Sequence, residues 1–342
     1  PMAYDMTSTP ESFFKSAPPK VLIQFMCNCL RKKYVFTLNM DLLLPAFESE
    51  GQFASFFNRV LERLYADVEE DDKEEIMAAL DAVVEGGNIY LVPMTRPVDS
   101  STALEFSKNL DVISRDLSFR RSRKYNLQGL STKTDENDAI LIMSGDVIAV
   151  QNAYNLAWAF NKNYLQLFNA GQMIVTDSKG LADNKVFGMY TDTDYFRIHP
   201  AKGFPKLKRW ENGENLEEKN WLHVWKMINF SYASNAIAFA EPKDIGVEKV
   251  ELLTKDGKTA ATVKPGKFLL MGIAKVTPSA GKIADAFCEY SVAGAQSANT
   301  KIDPQNGTLY VGSDETADTL TITGVSHLDN SKSGTLTVTV QH

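Results

Sequence analysis

The sequence predicts an α+β chain, with helices confined to its first two-thirds and an all-β sandwich in its last third. Three observations carry this. Apolar residues recur at helical spacing from Ser49 to Glu85. The run Ala139–Met143 is apolar throughout, as in a strand covered on both faces. Past Pro242 the helical period vanishes, and short Val/Thr-rich runs alternate with Gly, Asp, Asn and Pro turns.

Residues 1–20 are polar and carry Pro10, Pro18 and Pro19, the composition of an extended arm. Phe13 and Phe14 are its apolar anchors. Val21–Met26 is a short apolar run, and Tyr34–Leu38 alternates like a strand after the basic Arg31-Lys32-Lys33. Ser49 with Gln52 has capping-box spacing ahead of a helix. Its stripe is Phe53, Phe56, Phe57, Val60, Leu61, Leu64, Tyr65 and Val68. The stretch Asp67–Glu75 is an acidic interruption, solvated or a short break; Ile76, Leu80, Val83 and Val84 resume the stripe, and Gly86-Gly87 stops it. An unbroken helix here acts as a spine.

Ile89–Val92 reads as a strand closed by prolines. Ser100–Leu117 reads as a helix with Leu104, Leu110, Val112, Ile113 and Leu117 toward a core. A third helix is expected over Asn152–Phe168, with Leu156, Trp158, Phe160, Leu165 and Phe168 on its face. Met173–Thr176, Val186–Tyr190 and Tyr195–His199 read as strands, and Trp221–Ala240 as a long strand or a bent pair. In the last third, strands are expected at Gly246–Leu253, Lys267–Val276, Cys288–Val292, Leu309–Val311, Thr319–Gly324 and Gly334–Val340. That density of short strands is the signature of an Ig-like sandwich.

Bulk composition narrows the function. A chain of 342 residues with 44% hydrophobic content can bury a large core unaided by metal or disulfide. Its length predicts two or three domains. No stretch reaches the length of a membrane span, and the N-terminus lacks the basic-then-apolar layout of a signal peptide. A soluble protein made in a cytoplasm is expected. A start at Pro1 fits removal of an initiator Met or a longer chain that was cut. The net charge of −7 argues against extended nucleic-acid binding and leaves a local basic patch open.

Catalytic chemistry finds little support. Cys27, Cys29 and Cys288 lack the paired spacing of a zinc site and read as free buried thiols. His199, His223, His327 and His342 show no helical metal spacing, and His223, between Trp221 and Trp225, reads as a core or sheet histidine. No Gly-rich phosphate loop and no serine nucleophile elbow is present. Asp177, Asp183, Asp192 and Asp194 sit among glycines without the ordered spacing of a calcium loop, so turn chemistry explains them better. No catalytic residue, cofactor or metal ligand is expected. Arg115, Arg120, Arg121, Arg123 and Lys124 form the basic cluster. It reads as a solvated helix end complementing the dipole, as a charge partner for a neighbouring subunit, or as a contact for packaged DNA.

Specific stretches add a resemblance. Gly51-Gln52-Phe53-Ala54-Ser55-Phe56, Ile140-Leu141-Ile142, Trp158-Ala159-Phe160-Asn161, Leu222-His223-Val224-Trp225 and Ser234-Asn235-Ala236-Ile237-Ala238-Phe239 occur in an order similar to that of tailed-bacteriophage major capsid proteins. The likeness is to the small protein-primed podophages of the phi29-like group, with the HK97-type capsid fold. Independently, Thr300-Lys301-Ile302-Asp303, Asn306–Gly312 and Ser331–Val340 resemble a bacterial Ig-like domain of group 2.

The resemblance implies an α+β, HK97-type fold followed by the Ig-like sandwich. Its parts map to an arm at 1–20, a peripheral region with the spine helix at 21–99, an axial α/β insertion at 100–209, return strands at 210–242 and the Ig-like region at 243–342. It places the N-terminal arm and the first half of the long loop upstream of residue 1. It implies a structural protein, not an enzyme, that self-assembles into pentamers and hexamers of a virion shell in the host cytoplasm. Scaffold and portal proteins are the further partners implied, with packaged DNA touched only weakly or indirectly and no membrane. The Ig-like region's partner, a cell-surface glycan or a neighbouring capsomer, stays open. Phe13, Phe14, Arg120, Arg121, Arg123 and Lys124 are the subunit-interface candidates. A phage tail-tube protein and an Ig-decorated adhesin are the competing readings, disfavoured by the long helix and by the absent signal peptide. A polysaccharide hydrolase with an Ig-like accessory domain would need a carboxylate pair in a cleft, which no motif suggests.

Overall fold

The computed structural model describes residues 29–39, 47, 50–155, 170–176, 180–212 and 217–342. The chain forms β1 (Cys29–Asn39), α1 (Glu50–Glu85), β2 (Tyr90–Pro93), α2 (Ser100–Phe119), β3 (Ala139–Ser144), α3 (Gly145–Asn155), β4 (Gln172–Thr176), β5 (Val186–Asp192), β6 (Phe196–Pro200), β7 (Lys206–Asn212), β8 (Glu217–Phe230) and β9 (Ala236–Ala240). Nine strands follow: β10 (Val247–Glu251), β11 (Ala260–Val263), β12 (Phe268–Leu269), β13 (Lys275–Pro278), β14 (Cys288–Ala293), β15 (Lys301–Ile302), β16 (Leu309–Tyr310), β17 (Thr319–Ser326) and β18 (Ser333–Val340).

Helix α1 runs 36 residues without a break, about 54 Å at 1.5 Å per residue. The acidic stretch does not interrupt it because three of its acids meet lysines on the adjoining sheet. Lys32 Nζ lies 3.1 Å from Asp71 and 2.8 Å from Glu75. Lys226 Nζ pairs with Asp72 and lies 2.9 Å from Glu75. Asp67, Glu69, Glu70 and Glu74 point to solvent. At its end the Gly87 and Asn88 amides donate back to the Val84 and Val83 carbonyls, both at 3.0 Å. Gly87 takes φ +68°, the left-handed turn that glycine allows.

Two sheets share this helix. In the first, β8 is central: β1 runs antiparallel along one edge, while β6 and β7 pair in succession along the other. Leu64 and Val68 of α1 pack on Leu222, flanked by Tyr34, Phe36 and Val224. Phe57 meets Phe36 edge-on, with ring centroids 6.3 Å apart. The second sheet has the order β2-β9-β5-β3-β4. Leu80, Val83 and Val84 of α1 cover one face, over Ile140, Ile142, Met189, Ala236 and Ala238. Phe106, Leu110 and Leu117 of α2 cover the other, over Leu141, Met143, Phe187, Ile237 and Phe239. Coverage on both faces is why β3 and β9 are apolar at successive positions.

Helix α2 begins with a capping box between Asp99 and Thr102. Its buried face is Ala103, Phe106, Leu110 and Leu117, so Leu110 and Leu117 of the expected stripe are buried while Leu104 and Val112 of that stripe are exposed. Tyr65 of α1 is likewise exposed. The third helix begins at Gly145, seven residues before the expected Asn152. Leu156, Trp158, Phe160, Leu165 and Phe168 lie outside the described residues, as do residues 1–28 and Ser49. Trp221–Ala240 is a pair of strands in two different sheets, β8 and β9, and β7 is an addition whose polar Lys-Leu-Lys-Arg-Trp pattern gave no core signal.

After β9 the chain is all strand apart from a short 3-10 turn at Pro242–Asp244. The main sheet has the order β11-β18-β17-β14, parallel between β11 and β18 and antiparallel elsewhere. Two smaller sheets, β10-β13 and β12-β16-β15, complete the layers. Strand β18 buries Leu336, Val338 and Val340 and exposes the threonines between them. These join Val250, Leu252, Tyr290, Leu309, Leu320 and Ile322 in one core. Strand β11 was not anticipated, and the expected Lys267–Val276 strand divides into β12 and the start of β13.

Candidate functional site

Strand β2 is an edge strand, paired to β9 on one side only, so its other edge needs partners. The C-terminal strands supply them. Asp285 Oδ2 accepts from the Leu91 amide at 2.8 Å, and the Ala286 amide donates to the Gly87 carbonyl at 2.9 Å. Asp285 is fully buried. Its carboxylate also accepts from the Phe287 amide at 3.3 Å and meets His327 Nε2 at 2.6 Å. Burial pushes the Asp285 carboxyl above the usual carboxylate range, and the His327 contact and the two amides pull against that rise.

Aromatic packing closes the same seam. Tyr90 stacks on His327 and meets Tyr125 and Phe287 edge-on, each with centroids 5.1 Å apart. Lys124 Nζ lies 5.2 Å from the Tyr90 ring centroid. Arg123 donates to the Gly129 carbonyl at 2.6 Å and pairs with Asp303 of the C-terminal strands. Asn306 Nδ2 donates to the Gln128 carbonyl at 3.4 Å, and Ile283 joins the core beneath α1.

The basic cluster therefore divides. Arg123 and Lys124 are engaged within the chain at this seam. Arg115 makes two 2.9 Å contacts with Asp111, one turn earlier on α2. Arg120 caps α2 and lies 5.9 Å from the exposed Phe119 ring. Arg121 borders an open polar cleft with Lys133, Asp135, Asp192 and Asp194. Phe13 and Phe14 lie outside the described residues.

Of the aspartates weighed as a calcium loop, Asp192 accepts from Thr134 Oγ1 at 3.0 Å and from the Asp194 amide at 2.8 Å. Asp183 lies in a left-handed turn with Ala182 and Asn184. Asp177 lies outside the described residues. Among the described residues, no group of three or more His, Cys, Asp or Glu converges as a metal site. No described helix is long and apolar enough to cross a membrane. Cys288 is buried and free, its thiol pushed up to about 12 by desolvation and the nearby Asp285.

The seam residues carried no sequence signal, since Asp285 lies 42 residues from His327 and 194 from Leu91. The architecture is a long helix shared by two sheets with a β-rich unit locked to the edge of the second. The family profile described as Phi29-like phage major capsid protein matches residues 1–240. This chain belongs to that family. It is 28% identical over 238 residues to the major capsid protein of Bacillus phage PZA, covering 69% of this chain and 52% of that protein. It is 26% identical over 266 residues to the major capsid protein of Bacillus phage B103, covering 77% and 57% respectively. The chain thus spans about half the length of the curated relatives it matches. Among solved structures, the capsid of Staphylococcus phage Andhra aligns with a TM-score of 0.49 at 15% identity, covering 70% of this chain and 77% of that one.

Proposed function

We propose that the chain builds the capsid shell of a tailed bacteriophage through repeated contacts between copies. The family match over residues 1–240 carries this reading. The fold supports it: α1 packs on both sheets and joins them, and heterologous contacts between copies of such a chain can close into rings. We read the chain to residue 242 as the HK97-type fold, with a periphery at 21–99 that holds α1 as spine, an axial insertion at 100–209 and return strands at 210–242; the sheets cross these bounds, since β6 and β7 pair with β8 while β2 and β9 join the five-stranded sheet. Residues 243–342 read as an Ig-like sandwich, supported by their separate core. In this reading Arg120 and Arg121 are free to meet a neighbouring subunit, and Phe13 and Phe14 anchor an arm across it. The shell assembles from this protein in the host cell with scaffold and portal partners, and the Ig-like region faces a glycan or a neighbouring capsomer. Negative-stain electron microscopy of the purified protein tests the reading: shells or capsomer rings are expected, and monomers or tubes at every concentration overturn it.

A further inference from the structure

The pairing register sorts the side chains of the first sheet onto two faces. One lies under α1, where Lys32 and Lys226 are both neutralised by helix acids. The other looks away from α1. Opposite pairs Arg31↔Trp225, Lys33↔His223 and Val35↔Trp221 put those side chains on it. Lys206↔His223, Lys208↔Trp221 and Trp210↔Lys219 extend it across β7, and His199↔Met227 and Arg197↔Asn229 across β6. This face therefore carries six cations: Arg31, Lys33, Arg197, Lys206, Lys208 and Lys219. Arg197 pairs with Asp194. The other five have no carboxylate partner among the described residues, and Glu217, at the strand end, is the only acid the register puts with them.

Three tryptophans interleave with these cations. Arg31 lies 4.7 Å from the Trp225 centroid and Lys219 5.8 Å from that of Trp210, so the rings hold the charges in place. Phe204 stacks on the same Trp225 at 4.3 Å. Arg31, Lys33, Lys206 and Lys208 are exposed on the two outer strands. The chain as a whole has 43 acidic and 36 basic residues, so its charge is segregated: the unpaired acids Asp67, Glu70 and Glu74 line the far side of α1, behind the sheet.

We propose that this sheet face binds the phosphodiester backbone of double-stranded nucleic acid without reading its sequence. Unpaired cations two residues apart on a strand recur every 6.6–6.8 Å or so, a row of positive charge against which a row of backbone phosphates can lie. Four of the six are lysines, point charges suited to phosphate and depleted from protein–protein interfaces. The acidic side of α1 in a second copy is the competing occupant, and the lysine content favours phosphate over it. The proposal rests on the shell reading only for the presence of a genome against that face.

The test is fluorescence anisotropy of a short labelled duplex of mixed sequence, titrated with the full chain over a range of salt. Five free cations give a slope of log K against log salt of about −4.5, roughly a 500-fold loss between 50 and 200 mM. Replacing Lys206 and Lys208 with Gln makes the slope shallower by about 2, and adding Arg31→Gln and Lys33→Gln abolishes binding. The pair Lys255→Gln and Lys264→Gln, exposed among the C-terminal strands, serves as control and leaves binding unchanged. Circular dichroism melts establish that each variant is folded. Absence of binding at low salt, or binding indifferent to the four substitutions, overturns the proposal. So does a result in which they change only self-association in sedimentation, which assigns the face to a second copy. Shells from a chain that ignores duplex overturn this proposal alone, whereas monomers that bind duplex overturn the shell reading alone.

Discussion

Tyr90 lies flat on His327, with ring centroids 4.1 Å apart and planes 6° from parallel, although 237 residues separate them in the chain. The stack joins the edge strand of the five-stranded sheet to a loop of the C-terminal strands. Beside it the His327 ring meets Asp285, which also holds the Leu91 amide. The last hundred residues therefore have a core of their own and a polar lock on the rest of the chain.

Asp285→Ala will destabilise the full chain by about 3 kcal/mol, because it strands the buried Leu91 amide and the His327 nitrogen together. His327→Phe keeps a ring on Tyr90 and removes only the hydrogen bond, so it costs about 1 kcal/mol. Chemical denaturation measures both. A larger loss from His327→Phe than from Asp285→Ala would show that stacking, not the carboxylate, holds the seam.

Residues 243–342 expressed alone will melt cooperatively, because Leu309, Leu320, Ile322, Leu336 and Val338 make a complete core without outside help. The fragment will melt at a lower temperature than the same strands in the full chain, since Ile283 and Asp285 lose their cover. A disordered circular dichroism spectrum would refute the first point, and an unchanged melting temperature the second.

Glu315 governs acid stability within these strands. Burial would raise its carboxyl, yet the Thr300 hydroxyl and the amides of Gln296, Ala317 and Ser297 bring it down to about 2 from an ordinary 4.5. The folded value is the lower one, so its contribution is fully present above about pH 4.5 and fades as pH falls through about 2. Glu315→Gln will cost about 2–3 kcal/mol at neutral pH, since an amide can accept with only one of its two heads. Melting curves of the two proteins will converge toward pH 2. A gap that stays constant with pH would mean the carboxylate charge is not what matters.

The spine helix was legible from its helical period, β3 from its unbroken apolar run and the strand-dense last third from its recurring turns, whereas β9 was not separated from β8 within Trp221–Ala240. Helix α2 was legible in extent and misjudged in part of its facing: Leu104 and Val112 are apolar, yet the core took Phe106, and a window of mixed residues supports either stripe. Strand β7 went unread because its sheet face carries Lys206, Lys208 and Trp210, a pattern that resembles solvent more than structure. The continuity of α1 through its acids was not readable from the helix itself. It depends on Lys32 and Lys226, which reach it from β1 and β8. Separation in the chain likewise hid the Tyr90–His327 seam.

Phe57→Ala will cost about 1–2 kcal/mol, less than full burial of a phenylalanine implies. The ring is only half-buried and touches the sheet through Phe36. Leu64→Ala, at a buried position over Leu222, will cost about 2–4 kcal/mol. The reverse ranking would mean that α1 is rotated on the sheet.

Glu75 is the point where the spine helix is held to both long strands of the first sheet. Its carboxylate lies 2.8 Å from Lys32 on β1 and 2.9 Å from Lys226 on β8. Lys226 is itself buried, and desolvation lowers its pKa from the ordinary lysine value. Glu75→Gln removes the shared charge and leaves Lys226 with Asp72 alone, so a loss of about 3 kcal/mol is expected. Lys226→Met is milder, about 1 kcal/mol, because Glu75 keeps Lys32, the part-exposed Asp72 can turn to water, and a methionine fills the same space without a charge to desolvate. The two variants also differ in pH dependence. A lysine whose folded pKa is lowered binds its proton more tightly when unfolded, so stability rises as pH climbs from the folded value toward 10.5. In Glu75→Gln that rise grows, and part of the lost stability returns in mildly alkaline buffer. In Lys226→Met the rise disappears. Urea denaturation of both variants at neutral and alkaline pH decides the matter, and a Lys226→Met variant less stable than Glu75→Gln would show that Asp72, not Glu75, is the partner that counts.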